Sequence, residues 1–240
     1  MQDLLINLVA NFIWVLIGSG AIYAYRLFFQ VLPTKRLWQL HDPNNLMICI
    51  STSALVDTGE YYRPTTGIGQ VRGLTIITSS LNRAYKIQVK NVLLSEDQIL
   101  DRLENDIILL GGPENNRITN KFLDKIRELS IIDQKDNTIY WKVSTKEEIF
   151  KPTIIDRKII RDYGMIIRMK NPFSPTNSTI CLLAGTHTYG TIAATRFFTE
   201  NLYREHVRKT KSERNIAAII SCDVVDGWPV GIHLEKRHIF

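Results

Sequence analysis

The sequence predicts a Rossmann-like α/β domain, a mostly parallel sheet with helices on both faces, preceded by one transmembrane helix. Three observations carry this: an uncharged apolar run at the N-terminus, short apolar runs alternating with amphipathic stretches from residue 46 onward, and polar, glycine-containing loops after three of those runs.

Leu4 to Tyr25 contains no charged residue, and about 22 apolar residues are enough to cross a hydrocarbon core of about 30 Å. A cleaved signal peptide carries a basic leading segment, whereas Met1-Gln2-Asp3 has no Lys or Arg, so the helix is expected to be retained. Arg26, Lys35 and Arg36 follow it and nothing basic precedes it. That asymmetry predicts a single-pass protein of the cell membrane, N-terminus outside and C-terminal domain cytoplasmic. Tyr23, Tyr25 and Trp38 suit an interfacial belt. Asn7 and Asn11 lie one helical turn apart on a face shared with Gly18. An amide in hydrocarbon seeks a partner, and interhelical hydrogen bonds contribute about 0.6–2 kcal/mol each, so this face is expected to join copies of the chain into a homo-oligomer. Hydration of Asn7 near the bilayer surface is the alternative.

The expected division is residues 1–32 for the membrane and juxtamembrane helix, 33–45 for a linker and 46–240 for the domain. Once the apolar segment is set aside, about 200 residues remain, enough for one core. With 45% hydrophobic and 22% charged residues the chain is globular, not disordered. Its net charge of +6 is dispersed. The densest basic cluster, Arg204, Arg208, Lys209, Lys211 and Arg214, is interleaved with Glu205 and Glu213 and lacks a nucleic-acid module, so duplex nucleic acid is not an expected partner. Lipid headgroups of the bilayer are a simpler partner for that charge. Cys49, Cys181 and Cys222 each sit in an apolar run with no metal-ligand spacing. They read as buried thiols, and neither a metal nor a cofactor is expected.

Within the domain, apolar runs predict strands at 46–51, 87–94, 106–110, 163–169, 179–184 and 216–223, with a shorter one at 139–143. Amphipathic stretches predict helices at 69–85, 96–104, 119–129 and 191–208. The looser pattern between 133 and 170 reads as an insertion or hairpin extending the sheet. Residues 230–234 read as an antiparallel edge strand.

In parallel sheets, ligands bind beyond the carboxyl ends of the strands. Ser51 and Thr52 open the first such loop, which continues through Glu60, Arg63, Thr65 and Thr66 to Gly67 and Gly69. Gly111, Gly112, Asn115 and Asn116 follow the third strand. Gly185, Thr186, His187, Tyr189, Gly190 and Thr191 follow the 179–184 run. Gly67-x-Gly69 lacks the third glycine of the dinucleotide fingerprint, and no Walker pattern is present. The threonines suit phosphate beside helix N-termini, with Arg63 adding a charge-assisted bond. Tyr61, Tyr62 and Tyr189 suit stacking on a base, and Asn115 or Asn116 suits reading its edge. The alternative is that the threonines cap helices and Asn116 begins one. Glu60 and His187 are the catalytic candidates, as nucleophile or stabiliser and as general acid or base in N-glycosidic cleavage. The alternative for both is a structural role in their loops.

The order of first strand, long polar loop with Thr66-Gly67-Ile68-Gly69, then a strand running into Leu109-Leu110-Gly111-Gly112-Pro113-Glu114-Asn115-Asn116, resembles nucleotide-handling Rossmann-like domains, the nucleoside deoxyribosyltransferase-like and related sensor domains of bacterial antiviral systems. The resemblance covers residues 46–129. It implies a nucleotide-like small ligand and a role in antiviral defence, and it transfers no catalytic residue. The expected function is an oligomeric membrane sensor or effector. The competing expectations are a membrane-tethered enzyme acting on a nucleotide or nucleoside, and a ligand-free assembly subunit.

Overall fold

The structure, a computed structural model, describes residues 2–87, 92–94, 102–127, 129, 131–143, 147–208 and 215–240. Helix α1 (Gln2–Arg26) passes through a π-helical turn (Leu27–Val31) into α2 (Leu32–Trp38). Then follow β1 (Met47–Ile50), β2 (Ala54–Asp57), β3 (Tyr62–Thr65), α3 (Ile68–Tyr85), β4 (Val92–Leu94), β5 (Ile107–Leu110) and α4 (Arg117–Arg127). Next come β6 (Ile132–Lys135), β7 (Thr138–Trp141), β8 (Glu148–Phe150), β9 (Thr153–Ile155), β10 (Lys158–Lys170) and β11 (Thr179–Gly185). The chain closes with α5 (Thr188–Arg196), a second π-helical segment (Phe197–Leu202), α6 (Tyr203–Arg208), β12 (Ile216–Val225) and β13 (Trp228–Ile239). The expected helix at 96–104 falls largely outside the described residues, as does the first half of the expected strand at 87–94.

The principal sheet has the order β13-β12-β10-β11-β5-β1-β4, with β9 added to β10. Strands β4, β1, β5 and β11 are mutually parallel. Strand β10 is antiparallel to β11, β12 and β9, and β12 is antiparallel to β13. The sheet is therefore mixed, not mostly parallel as the alternation of runs predicts. The reason lies in the connections. A parallel neighbour needs a crossover of a dozen or more residues, and the 171–178 segment between β10 and β11 is too short for one. Asp226 and Gly227 both have positive φ, +50° and +74°, the geometry of a tight hairpin that folds β12 onto β13. The 133–170 region divides as well: β6, β7 and β8 form a separate sheet, and only β9 and β10 extend the principal one.

Both faces of the sheet are covered. On one, Ile118, Phe122, Leu123 and Ile126 of α4 pack with Ile132, Ile139 and Trp141 of the small sheet against Met47, Ile107, Leu109 and Ile167. On the other, Ile77 and Leu81 of α3, Ala193 and Ala194 of α5, and Phe198 pack against Ile48, Ile108, Leu183 and Ile220. Leu37 and Trp38 of α2 belong to this second core. Residues 33–38, expected in a linker, are thus helical and docked.

The N-terminal helix is long and apolar enough to cross a membrane, and almost every side chain from Ile6 to Phe29 is exposed. Its far end is held firmly. Pro33 has no N–H to return to Phe29, and the freed carbonyl accepts a hydrogen bond from the Tyr203 hydroxyl. Trp38 donates from its indole to Ser80 Oγ at 3.0 Å and meets Phe198 edge-on, with ring centroids 4.8 Å apart. Arg168 of β10 is fully buried and donates to the carbonyls of Leu37 at 2.6 Å and Arg36 at 3.3 Å. Its charge therefore sits at the negative end of α2, where a helix favours a cation. These contacts lie toward the edge where the parallel strands begin: Thr179, the first residue of β11, donates to the Gln39 carbonyl at 2.6 Å.

Arg168→Leu leaves those carbonyls buried without their donor. It should lower the stability of the full-length protein in detergent by about 2–3 kcal/mol, read from its chemical denaturation midpoint.

Candidate ligand-binding site

The carboxyl ends of β1, β5 and β11 are adjacent and in register, since Leu110 is paired with both Ile50 and Leu183. The three polar loops therefore open side by side. Gly111 turns the chain away with φ +112°, a conformation suited to glycine, and its N–H is held by the Leu183 carbonyl at 3.0 Å. The first loop folds on itself. Thr66 donates to the Ser51 carbonyl at 2.8 Å, Ser53 N–H donates to the Thr65 carbonyl at 2.7 Å, and the residues between form the exposed β2–β3 hairpin.

Helix α5 begins at His187 against bare backbone. A side-chain carbon at Gly190 would collide with the Tyr163 carbonyl, and one at Gly185 would collide with the first turn of the helix. Asp162, fully buried in β10, fixes this approach by accepting from the Gly190 N–H at 2.6 Å, from its neighbour Tyr163 N–H at 2.9 Å and from the Thr186 hydroxyl. A carboxylate thus already occupies the positive end of α5.

A cavity of about 140 Å³ lies between these loops. The first loop and α3 contribute Ser53 and Gln70, and the loop after β5 contributes Gly112, Glu114 and Asn115. Gly185, Thr186, His187, Thr188 and Thr191 line it from β11 and α5, and Gln134 and Asn137 close it from the β6–β7 hairpin. Glu114 Oε1 accepts from the Asn137 N–H at 2.7 Å. With its amide nitrogen turned inward, Asn137 donates to the Thr186 carbonyl at 2.8 Å. Gln134 Nε2 donates to the Gly185 carbonyl at 2.9 Å, and Gln70 Nε2 donates to Ser51 Oγ at 2.7 Å. The Oε1 atoms of both glutamines are buried without a donor.

Of the expected site residues, Gly112, Asn115, Gly185, Thr186, His187 and Thr191 line the cavity. Ser51, Thr52, Gly67, Gly69, Gly111 and Gly190 do not line it; they shape the loops and helix starts around it, Gly69 lying so close to α5 that an added carbon would be 2.7 Å from the Thr188 carbonyl. Asn116 caps α4, its Oδ1 accepting from the Ile118 and Thr119 N–H groups at 3.1 Å each. Thr65 bonds across its own hairpin to Ala54. Glu60 and Arg63 are exposed on that hairpin, and Tyr189 lines a different hollow with Asp226 and Gly227. The two catalytic candidates are thus separated, His187 in the cavity wall and Glu60 outside it. Asn7, Asn11 and Gly18, the expected association face, are exposed on α1.

Gln134, Asn137 and Asp162 were not expected at the site. Gln134 follows buried Ile132 at the strand period of two, a spacing that places both on one face. Asp162 is fully buried in β10, where a lone carboxylate requires a specific partner. Among the described residues no cluster of three His, Cys, Asp or Glu side chains can hold a metal ion.

The chain matches no protein-family model, and no curated protein matches its sequence. Its class is set by the structure alone: a mixed α/β domain with a polar cavity where its parallel strands end, joined to one helix long and apolar enough to span a membrane.

Cys222 lies beside Asp162. Burial, reinforced by that carboxylate, pushes its thiol from an ordinary 9.0 up to about 12, and burial does the same to Cys181. Both thiols should resist alkylation at pH 8 in the native protein and react after denaturation. The unfolded chain loses these protons near pH 9 while the native chain keeps them. Stability from this source is therefore intact below pH 9 and is lost as pH climbs toward 12. A denaturation series between pH 7 and 11 checks the sign.

Proposed function

We propose that this chain is a membrane-anchored, homo-oligomeric sensor. A nucleotide or related small ligand enters the cavity of its Rossmann-like half, and the domain passes the change to the transmembrane helices. The domain is cytoplasmic in this reading, with the N-terminus outside, in keeping with Arg26, Lys35 and Arg36 after the helix. A setting in antiviral defence rests on the resemblance of residues 46–129 alone.

The observation that carries the proposal is one continuous helical path. It starts at the cavity wall with His187, Thr188 and Thr191, packs Phe198 on Trp38, and ends with Tyr203 bonded to the Phe29 carbonyl. A ligand that shifts α5 acts on the same rod that grips the N-terminal helix. The shift requires different affinities for the two arrangements, not binding alone.

His187 in the wall, with the Glu114 carboxylate in the same cavity, favours the enzyme as a second reading. Hydrolysis of the N-glycosidic bond would add water at C1′ and a proton to the departing base, releasing free base and free sugar from a nucleoside, and His187→Ala would abolish it.

Full-length protein in lipid nanodiscs should show a raised unfolding temperature with at least one of a panel of mononucleotides, cyclic dinucleotides, oligonucleotides and NAD. Ligand at a hundredfold over its Kd adds about 2.7 kcal/mol. A flat response across the panel would favour the ligand-free assembly subunit. Asn7→Leu combined with Asn11→Leu should preserve membrane insertion and reduce crosslinked oligomer. Unchanged crosslinking would reduce the helix to an anchor.

A further inference from the structure

Taking the carboxyl-edge cavity as the ligand site, we infer that it receives an uncharged, hydrogen-bond-donating group, the amine-bearing edge of a base or the hydroxyls of a sugar, and that phosphate stays outside. The polarity of the wall decides this. Gln134 is only 3% exposed, and its Nε2 is committed to the Gly185 carbonyl, so its Oε1 is fixed as an acceptor and has no donor. Reversing the amide would set oxygen against oxygen. Glu114 adds a carboxylate to the same wall. A buried acceptor without a donor is unfavourable and is relieved by a ligand that supplies one.

Several of the groups that would welcome an anion are already engaged. Thr186 Oγ1 and the Gly190 N–H serve Asp162, Thr191 Oγ1 donates to the His187 carbonyl at 3.3 Å, and the first turn of α4 is capped by Asn116. None of the described residues lining the cavity is Lys or Arg, and His187 is the one wall residue able to carry positive charge. A phosphate there would face Glu114 without a fixed counter-charge. Size agrees: about 140 Å³ is below the roughly 300–1,000 Å³ of sites for drug-sized ligands, and it suits one ring with the remainder of the ligand in solvent.

Titration of full-length protein in nanodiscs at pH 8 with adenosine, adenine, ribose and inorganic phosphate tests the inference. Adenosine should bind, phosphate should neither bind the cavity nor displace adenosine, and the stronger competitor of adenine and ribose identifies which donor enters. Gln134→Met should weaken adenosine at least tenfold. Glu114→Gln, on another wall, should also weaken it, which keeps the test decisive if the first variant folds poorly. Phosphate that competes with adenosine, or affinity unchanged in both variants, would overturn the inference while leaving a ligand sensor possible. Gln134-dependent binding with no change in spacing between the N-terminal helices of neighbouring subunits, measured with spin labels, would uphold the inference and overturn the sensor. Failure of all four compounds to bind the wild type would overturn the inference outright.

Discussion

At Gly190 the backbone of α5 lies directly on the backbone of β10, and the gap has no room for a side chain. Backbone can approach backbone this closely only where Cβ atoms are missing and the exposed polar groups are paired. Gly164, Gly185 and Gly190 meet the first condition. Asp162 meets much of the second by accepting from the helix N–H and from Thr186. This contact sets the depth of α5, which decides where His187 and Thr191 stand and how wide the cavity opens. It also fixes where Phe198 and Tyr203 emerge further along the same path.

The opposite edge solves a different problem. A helix that ends against the domain brings a terminal set of carbonyls that must be satisfied once buried. Arg168 supplies donors from within the sheet, and Pro33 releases a further carbonyl that Tyr203 accommodates. The buried guanidinium is tolerable because it ends on oxygens, and α2 is tolerable because its last turn meets a charge. Each is the condition for the other.

Much of the fold was legible because burial on both faces leaves continuous apolar runs. Met47–Ile50, Ile107–Leu110 and Thr179–Gly185 show it, and all three are buried throughout. Strand direction was not legible from those runs. The runs at 163–169 and 216–223 look like parallel core strands, and only the short 171–178 connection and the Asp226-Gly227 turn reverse them. Pro33 disguised α2 as a linker, although proline in a helix's first turn is compatible with helix. At the site, glycine and threonine marked the right loops after β5 and β11, but the long first loop turned its Glu60 and Arg63 outward as a hairpin. Gln134 and Asp162 come from segments with no loop signature, so only the folded arrangement brings Gln134 to the cavity wall and Asp162 to the start of α5.

The continuity of the N-terminal helix with α2 makes angular phase a heritable property of this chain. No slack segment lies between the exposed apolar stretch and the docked Trp38, only the π-helical turn at Leu27–Val31. Each helical residue advances about 1.5 Å and about 100°. A one-residue insertion or deletion in that turn would barely change the reach of the helix, yet it would swing Asn7 and Asn11 by more than a quarter of a circle relative to the domain. Homologous chains should therefore tolerate substitution there far better than a change in length.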